Sequence, residues 1–176
     1  MNFIRTYTGE RFTPLNPDIY QMNIDDIAHA LSLICRGNGH QANFYSYAQH
    51  GLNLAKEARA RRHSRRVQMA CLLCHGGVAY LPEMIGPVRN RVPVYLDLEE
   101  DIQALVYMRF LNDELLAEEK FLVWEMAEEM LVWEANKLMN KEVDRLPALM
   151  SAPKFNFIDF VTVEEEFKAF HESLMD

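Results

Sequence analysis

The chain has 176 residues, of which 49% are hydrophobic and 25% charged, and this composition is ordinary for one globular domain. A formal net charge of −8 argues against general nucleic-acid binding, which needs a basic face. The sequence contains neither an apolar run of membrane-spanning length nor a signal segment, so we expect a cytoplasmic protein without membrane contact. With an odd number of cysteines, 3, a disulfide framework is not expected.

The first half of the chain predicts an irregular lead-in followed by helices. Residues 1–22 include Pro14 and Pro17, which favour an extended, turn-rich segment. Asn23 is a favourable N-cap for the first helix, and Ser64 is one for the third. The spacing of apolar residues predicts helices over 23–35, 45–62 and 64–75, with a short continuation over 76–80.

The second half predicts a loop, two longer helices and a looser tail. The loop covers 82–93, and the helices cover 97–110 and 114–141, with Trp124 and Trp133 expected in the core. In residues 155–161 apolar and polar side chains alternate in a way that predicts a short strand or an extended segment that packs on the core. A capping-box pattern at Thr162 predicts the start of a final helix. The fold class is therefore all-α, with a helical domain over 1–142 and an extension over 143–176 that packs on it or on a neighbouring subunit.

Basic residues are concentrated at the end of the second predicted helix and the start of the third. Such a run is typical of a solvated helix end, although it also fits a patch that faces a phosphate or another subunit. The basic residues concerned are Lys56, Arg59, Arg61, Arg62, Arg65 and Arg66.

The stretch Cys71–Leu81 carries the most informative chemistry. The pattern predicts the apolar end of a helix that places Cys74 and His75 side by side, and two glycines follow directly. Cysteine and histidine are both metal-ligand types, and His50 before the stretch and Glu128 after it add further donors. Each of these residues also has an ordinary structural interpretation, as a buried histidine, a small core residue, a hydrogen-bonded helix end or a solvated carboxylate.

Several segments resemble one known family. They are Ile24 to Arg36, Gly39-His40, Phe44-Tyr-Ser46 and Ala48-Gln-His50. Together they look like the prophage-type HD-domain phosphohydrolases, which are similar to small bacterial 5'-deoxynucleotidases and to phage enzymes that hydrolyse deoxynucleoside triphosphates. The likeness extends from about Thr8 to Met139 and implies an HD-domain-like helical bundle.

The resemblance also implies a metal site. In that family a histidine on an early helix, a His-Asp doublet and an Asp on a later helix hold one divalent ion, which polarises a phosphate oxygen and lowers the pKa of a bound water. The corresponding positions here are His50, Cys74, His75 and Glu128, so only His50 keeps the family's residue type. This donor set suits zinc better than magnesium or manganese, if a metal is bound at all. Four protein ligands would leave no open position for water.

Further positions depart from the family pattern. Val78 stands where the family has an acid that helps to activate water, and Glu83 takes the place of the acid in the following loop as the candidate catalytic residue. Gly37 replaces an aromatic residue that could pack on a base. Arg36 is the candidate substrate-binding residue, because it could grip a phosphate bidentately, or it could pair with an acid from the long helix.

Two functions follow from these observations. The first is a pseudoenzyme of phage or prophage type, with lost or very weak hydrolysis, that binds a nucleotide or a protein partner. The alternative is an active metal-dependent (deoxy)nucleotide phosphohydrolase that uses the altered His/Cys/His/Glu site. A homo-oligomer is compatible with both.

Overall fold

The protein folds mainly into α-helices, as the sequence predicts. The computed structural model describes residues 2–139 and 141–175, and within them lie seven α-helices and one two-stranded antiparallel sheet, β1 (Ile4–Arg5) with β2 (Arg11–Phe12). None of the helices in this part of the chain combines the length and apolar character needed to cross a bilayer. The helices are α1 (Ile24–Leu33), α2 (Tyr47–Ala60), α3 (Arg65–Leu72), α4 (Gly86–Arg89), α5 (Pro93–Leu111), α6 (Ala117–Leu138) and α7 (Phe160–Met175).

Side-chain caps fix where the first three helices begin. The Asn23 side chain accepts a hydrogen bond from the backbone of Asp26 at 2.8 Å, and the Ser64 hydroxyl accepts one from Val67 at 3.2 Å. Both caps confirm the prediction from sequence. Ser46 caps α2 in the same way, since its hydroxyl accepts from the backbone of Gln49 at 3.1 Å.

Helix α2 lies at the centre of the molecule, and α3 packs closely against it. The close approach depends on Gly51, because a Cβ at this position would lie 2.5 Å from the carbonyl oxygen of Leu72. His50 is therefore held next to the end of α3, where Cys74 and His75 follow. The largest fully buried side chains around this helix pair include Phe12, Ile27, Leu31, Leu54, Leu72, Ile102, Met126, Met130 and Phe167.

Some predicted boundaries are wrong. The segment 82–93 is not only a loop, since it contains the single-turn helix α4, and α5 begins at Pro93 instead of residue 97. Pro93 occupies the first turn, where a missing N–H costs nothing. Helix α7 begins at Phe160, and its capping group is Asp159, whose carboxylate accepts from the backbone of Thr162 at 3.0 Å. The predicted capping box at Thr162 therefore lies inside the helix.

The two tryptophans have different environments. Trp124 is 57% exposed and lies 5.8 Å, ring centre to ring centre, from the exposed Phe121, so its assignment to the core is wrong. Trp133 is partly buried and donates from Nε1 to the carbonyl oxygen of Pro147 at 2.9 Å. Helix α6 carries apolar residues on more than one face, so periodicity alone could not separate its buried face from its exposed one.

Most of the basic side chains at the end of α2 and the start of α3 make contacts within the chain. Arg61 pairs with Glu57 and Glu129, and Arg66 donates to both carboxylate oxygens of Glu119. Further contacts join Lys56 to Glu166 and place the Arg59 guanidinium 3.9 Å from the centre of the Phe170 ring. Most of these side chains therefore tie α2 and α3 to α6 and α7.

A row of polar side chains on α2 holds the segment 150–156 in place. Gln49, Asn53 and Glu57 lie at successive helical turns and are buried. The Gln49 amide donates to the carbonyl oxygens of residues 154 and 156, and Asn53 bonds both the N–H and the C=O of Lys154. Residues 155–159 form neither a strand nor a helix, and the predicted segment 155–161 ends inside α7. The extension thus packs on its own chain.

Candidate metal centre

Helix α2 and the end of α3 bring three potential metal ligands together. His50 is contributed by the first turn of α2, and Cys74 and His75 by the turn between α3 and the 3-10 helix Gly76–Ala79. One ligand atom from each of these residues lies within 4.8 Å of the others. These residues, called the His–Cys–His group below, could hold a metal ion.

The hydrogen bond of His50 determines which of its nitrogens is available. Its Nδ1 bonds Oε1 of Glu134, and both side chains are 1% exposed. Because a carboxylate can only accept, the imidazole donates from Nδ1, and its lone pair is on Nε2. This Nε2 atom is buried and lacks a hydrogen-bond partner within the described residues. A histidine oriented by a carboxylate, with its second nitrogen free, has the usual arrangement of a metal ligand.

Glu134 is the centre of a buried hydrogen-bond network. The Tyr45 hydroxyl donates to its Oε1 at 2.9 Å and in turn accepts from the amide of Asn53 at 3.0 Å, while Arg36 lies 3.3 Å from its Oε2. Burial alone would raise the pKa of Glu134, but the interactions with His50, Arg36 and Tyr45 outweigh it and lower this pKa to about 2. Glu134 is therefore a carboxylate at neutral pH.

Arg36 contacts the ligand group directly. Its Nη1 lies 2.9 Å from Nε2 of His75, and its guanidinium lies 5.2 Å from the centre of the Tyr47 ring. Since arginine can only donate, His75 accepts at Nε2 and carries its proton on Nδ1. Of the two roles open to Arg36 from sequence, the structure has it paired with Glu134, an acid of the long helix.

The surroundings keep both histidines neutral and the thiol protonated. Burial, followed by the charge of Arg36, lowers the pKa of His50 and the pKa of His75. Burial also raises the pKa of the Cys74 thiol to about 12. Neutral imidazoles are ready to ligate, whereas Cys74 would have to lose its proton when a metal binds.

Glu128 does not belong to this group. It is exposed on α6 and lies outside the set of close ligand atoms in the described part of the chain, and the carboxylate that reaches His50 is Glu134. The sequence did contain a signal for Glu134. It lies four and eight residues after the fully buried Met130 and Met126, a spacing that puts all three on one helix face.

A cavity of about 590 Å³ opens beside the His–Cys–His group. Cys74 and His75 form part of its wall, and Val78 and the exposed Glu83 also line it. Its remaining charged lining residues are Arg89, Glu99, Glu100, Asp101 and Lys120, so acids outnumber bases. The volume is typical of a small-molecule site.

Comparison with known proteins identifies relatives but no activity. No family model matches the chain. Over 112 residues it is 31% identical to the uncharacterized protein YfdR of Escherichia coli, covering 62% of this chain and 59% of that protein. It is 34% identical over 112 residues to an uncharacterized protein of Rhodobacter capsulatus, covering 60% of this chain and 57% of that protein. The matched region thus spans less than two thirds of these relatives, and neither brings an activity to this chain.

Proposed function

We propose that this protein is a divergent, HD-domain phosphohydrolase-like protein of phage or prophage type that has lost most or all hydrolysis. In this proposal it acts in the cytoplasm, holds a divalent metal at His50, Cys74 and His75, and binds a (deoxy)nucleotide in the adjacent cavity. Zinc is the preferred metal, because imidazole and thiolate donors suit it better than they suit magnesium or manganese.

The observation that carries the proposal is the environment of His50. A buried imidazole nitrogen without a hydrogen-bond partner costs free energy, and that cost is recovered when the nitrogen coordinates a metal. Glu134 fixes the tautomer that makes Nε2 the available atom. The acidic lining of the cavity adds a second reason for a metal, since a bound phosphate there needs a compensating cation. A divalent ion would supply that charge and polarise a phosphate oxygen.

The weakness of hydrolysis follows from residues at the cavity wall. Val78 lines the cavity and has no group that can accept or donate a proton. Loss of a proton-transferring side chain commonly lowers a rate by about 10²–10⁴-fold. Glu83 is the candidate for that role from the sequence, and it lies on the loop before α4, not on a helix. The carboxylates of Glu99, Glu100 and Asp101 also line the cavity.

An active phosphohydrolase is the second candidate, and one observation favours it. Since Glu128 lies outside the ligand group, the group offers only His50, Cys74 and His75. Catalytic zinc sites use three protein ligands and keep a fourth position open, whereas structural sites are closed by four. Cys74 and His75 also line the cavity, so a ligand bound there would lie beside the group.

A paired measurement separates these functions. Protein purified without added metal is dialysed against zinc, its metal content is measured by mass spectrometry, and phosphate release is screened over the deoxynucleotides. The variants are His50→Ala and, as a matched control, His40→Ala, which removes an exposed histidine. Thermal stabilisation by each nucleotide reports binding without turnover.

We expect one zinc per chain in the wild type and in His40→Ala, none in His50→Ala, stabilisation by a nucleotide, and little or no phosphate release. Rapid phosphate release that is lost in His50→Ala would overturn the pseudoenzyme and support the active alternative. Protein that binds neither zinc nor a nucleotide would contradict both.

A further inference from the structure

Arg36 occupies an unusual place for a cation. Its guanidinium contacts His75 of the His–Cys–His group, since Nη1 lies 2.9 Å from Nε2 of His75. It also contacts Glu134, the carboxylate that orients His50, since Nη2 lies 3.3 Å from Oε2 of Glu134. The side chain is only 14% exposed. A permanent positive charge thus sits among the atoms that would hold a metal ion.

The contact with Arg36 uses the electron pair that His75 would give to a metal. A neutral imidazole has one nitrogen lone pair, because its other nitrogen carries a proton. In His75 that lone pair is on Nε2 and accepts from Arg36. Metal binding by His75 therefore requires the Arg36–His75 hydrogen bond to break.

The backbone around Arg36 holds the guanidinium at this place. The Arg36 N–H donates to the carbonyl oxygen of Tyr45 at 2.9 Å, and the neighbouring residues Cys35 and Ser46 form an antiparallel bridge. On the other side, Gly37 and Asn38 adopt left-handed conformations with φ of 58° and 52° and turn the chain sharply away. The Tyr47 ring packs against the guanidinium.

We propose that Arg36 is a built-in counter-ion that competes with a divalent metal for the Nε2 lone pair of His75, and so sets the metal affinity of the site. This inference rests on the proposed metal site. In the metal-free protein the guanidinium donates to Nε2 of His75 and pairs with Oε2 of Glu134. A bound divalent ion is repelled by the same charge, so the wild type binds metal more weakly than its donor set alone would allow.

The test compares cobalt(II) and zinc binding in the wild type and in Arg36→Met. Cobalt(II) is a spectroscopic substitute for zinc, and its visible and thiolate charge-transfer absorption reports coordination by Cys74 directly. The matched control is Lys120→Met, which removes a positive charge from the wall of the adjacent cavity without touching the His–Cys–His group. Circular dichroism and a thermal melt establish that each variant is folded.

We expect Arg36→Met to bind both metals at least about tenfold more tightly than the wild type, and Lys120→Met to change the affinity much less. Equal affinity of the wild type and Arg36→Met would overturn the role of Arg36 and leave the metal site standing. Binding by neither protein would overturn both. An equal increase in metal affinity in Arg36→Met and Lys120→Met would also overturn the role of Arg36, because the effect would then come from general electrostatics.

A second measurement needs no variant. Long-range ¹H–¹⁵N correlation of the imidazoles in the wild type distinguishes the two tautomers of each histidine. The proposal requires His75 to carry its proton on Nδ1 without metal, and the Nε2 signal to move when zinc is added. A metal-free His75 protonated on Nε2 would overturn the proposal even if Arg36→Met did not fold.

Discussion

His50 on α2 donates its Nδ1 proton to Glu134 on α6, although the two residues are 84 positions apart in the sequence. This contact joins the two helices inside the molecule and leaves the second nitrogen of His50, Nε2, buried and without a hydrogen-bond partner among the described residues. A carboxylate in this position makes the imidazole a better ligand, because it stabilises positive charge on the ring and fixes its orientation. In the proposed metal site, Glu134 is therefore a positioning residue.

The first prediction concerns Glu134. Glu134→Gln should weaken zinc binding by about 10–100-fold, since an amide orients His50 less firmly and does not increase its basicity. The measurement is titration calorimetry in the Arg36→Met background, so that loss of the Arg36–Glu134 ion pair does not contribute. Glu128→Gln, on the exposed face of the same helix, is the matched control and should leave the affinity unchanged. A larger effect at Glu128 than at Glu134 would restore the ligand set predicted from sequence.

Local chemistry explains which parts of the fold were predictable. Asn23 and Ser64 were identified as caps because a short polar side chain before an apolar-periodic segment satisfies the first free N–H groups of a helix. Asp159 was missed because Thr162, three residues later, offers an equally good capping pattern.

The candidate site was predictable to a smaller extent. The sequence singled out His50, Cys74 and His75, and the structure brings them together. Their partners Glu134 and Arg36 depend on long-range packing. Glu134 is one of several acids on α6, and only its alignment with buried methionines separates it from the exposed Glu128. The metal itself and the ligand of the cavity remain predictions.

The second prediction tests how α2 and α3 position the site. Gly51→Ala should lower the free energy of unfolding by about 1–3 kcal/mol, because the new Cβ would lie 2.5 Å from the Leu72 carbonyl oxygen and force the helices apart. It should also weaken zinc binding, since His50 and Cys74 lie on the two sides of this contact. Urea denaturation measures the stability. Gly86→Ala is the control, because nothing lies within 4 Å of its added Cβ.

If Gly51→Ala unfolds at the same urea concentration as the wild type, the two helices do not approach as closely as the structure has them. If it loses stability but keeps its zinc affinity, the ligand positions do not depend on this contact.

The third prediction concerns the extension predicted over 143–176. Phe167→Ala should destabilise the whole protein by about 3–5 kcal/mol, because this ring is fully buried among residues of the helical domain. Phe157→Ala removes a ring that is 60% exposed and should cost less than about 1 kcal/mol. Chemical denaturation followed by circular dichroism and tryptophan fluorescence should give one coincident transition. Two separate transitions would mean that the extension folds independently.

The last prediction follows from the position of Glu57. Its carboxylate accepts hydrogen bonds from the backbone of Met150 at 2.9 Å and of Ser151 at 2.8 Å, and it pairs with Arg61. Burial alone would raise the pKa of Glu57, but these hydrogen bonds outweigh it and hold the pKa below its ordinary value of 4.5. Glu57 therefore stabilises the fold above that pH, and the contribution is lost as the pH falls through the lowered folded-state pKa.

Glu57→Gln should accordingly lower the free energy of unfolding by about 1.5–3 kcal/mol at neutral pH, the usual range for hydrogen bonds to a charged group. The difference from the wild type should shrink as the pH falls below 4.5, because the wild-type carboxyl then becomes protonated as well. Urea denaturation at a series of pH values measures this, with Glu165→Gln at an exposed site as the control. If the difference in the free energy of unfolding between the wild type and Glu57→Gln stays constant down to acidic pH, Glu57 stabilises the segment 150–156 through packing and not through its charge.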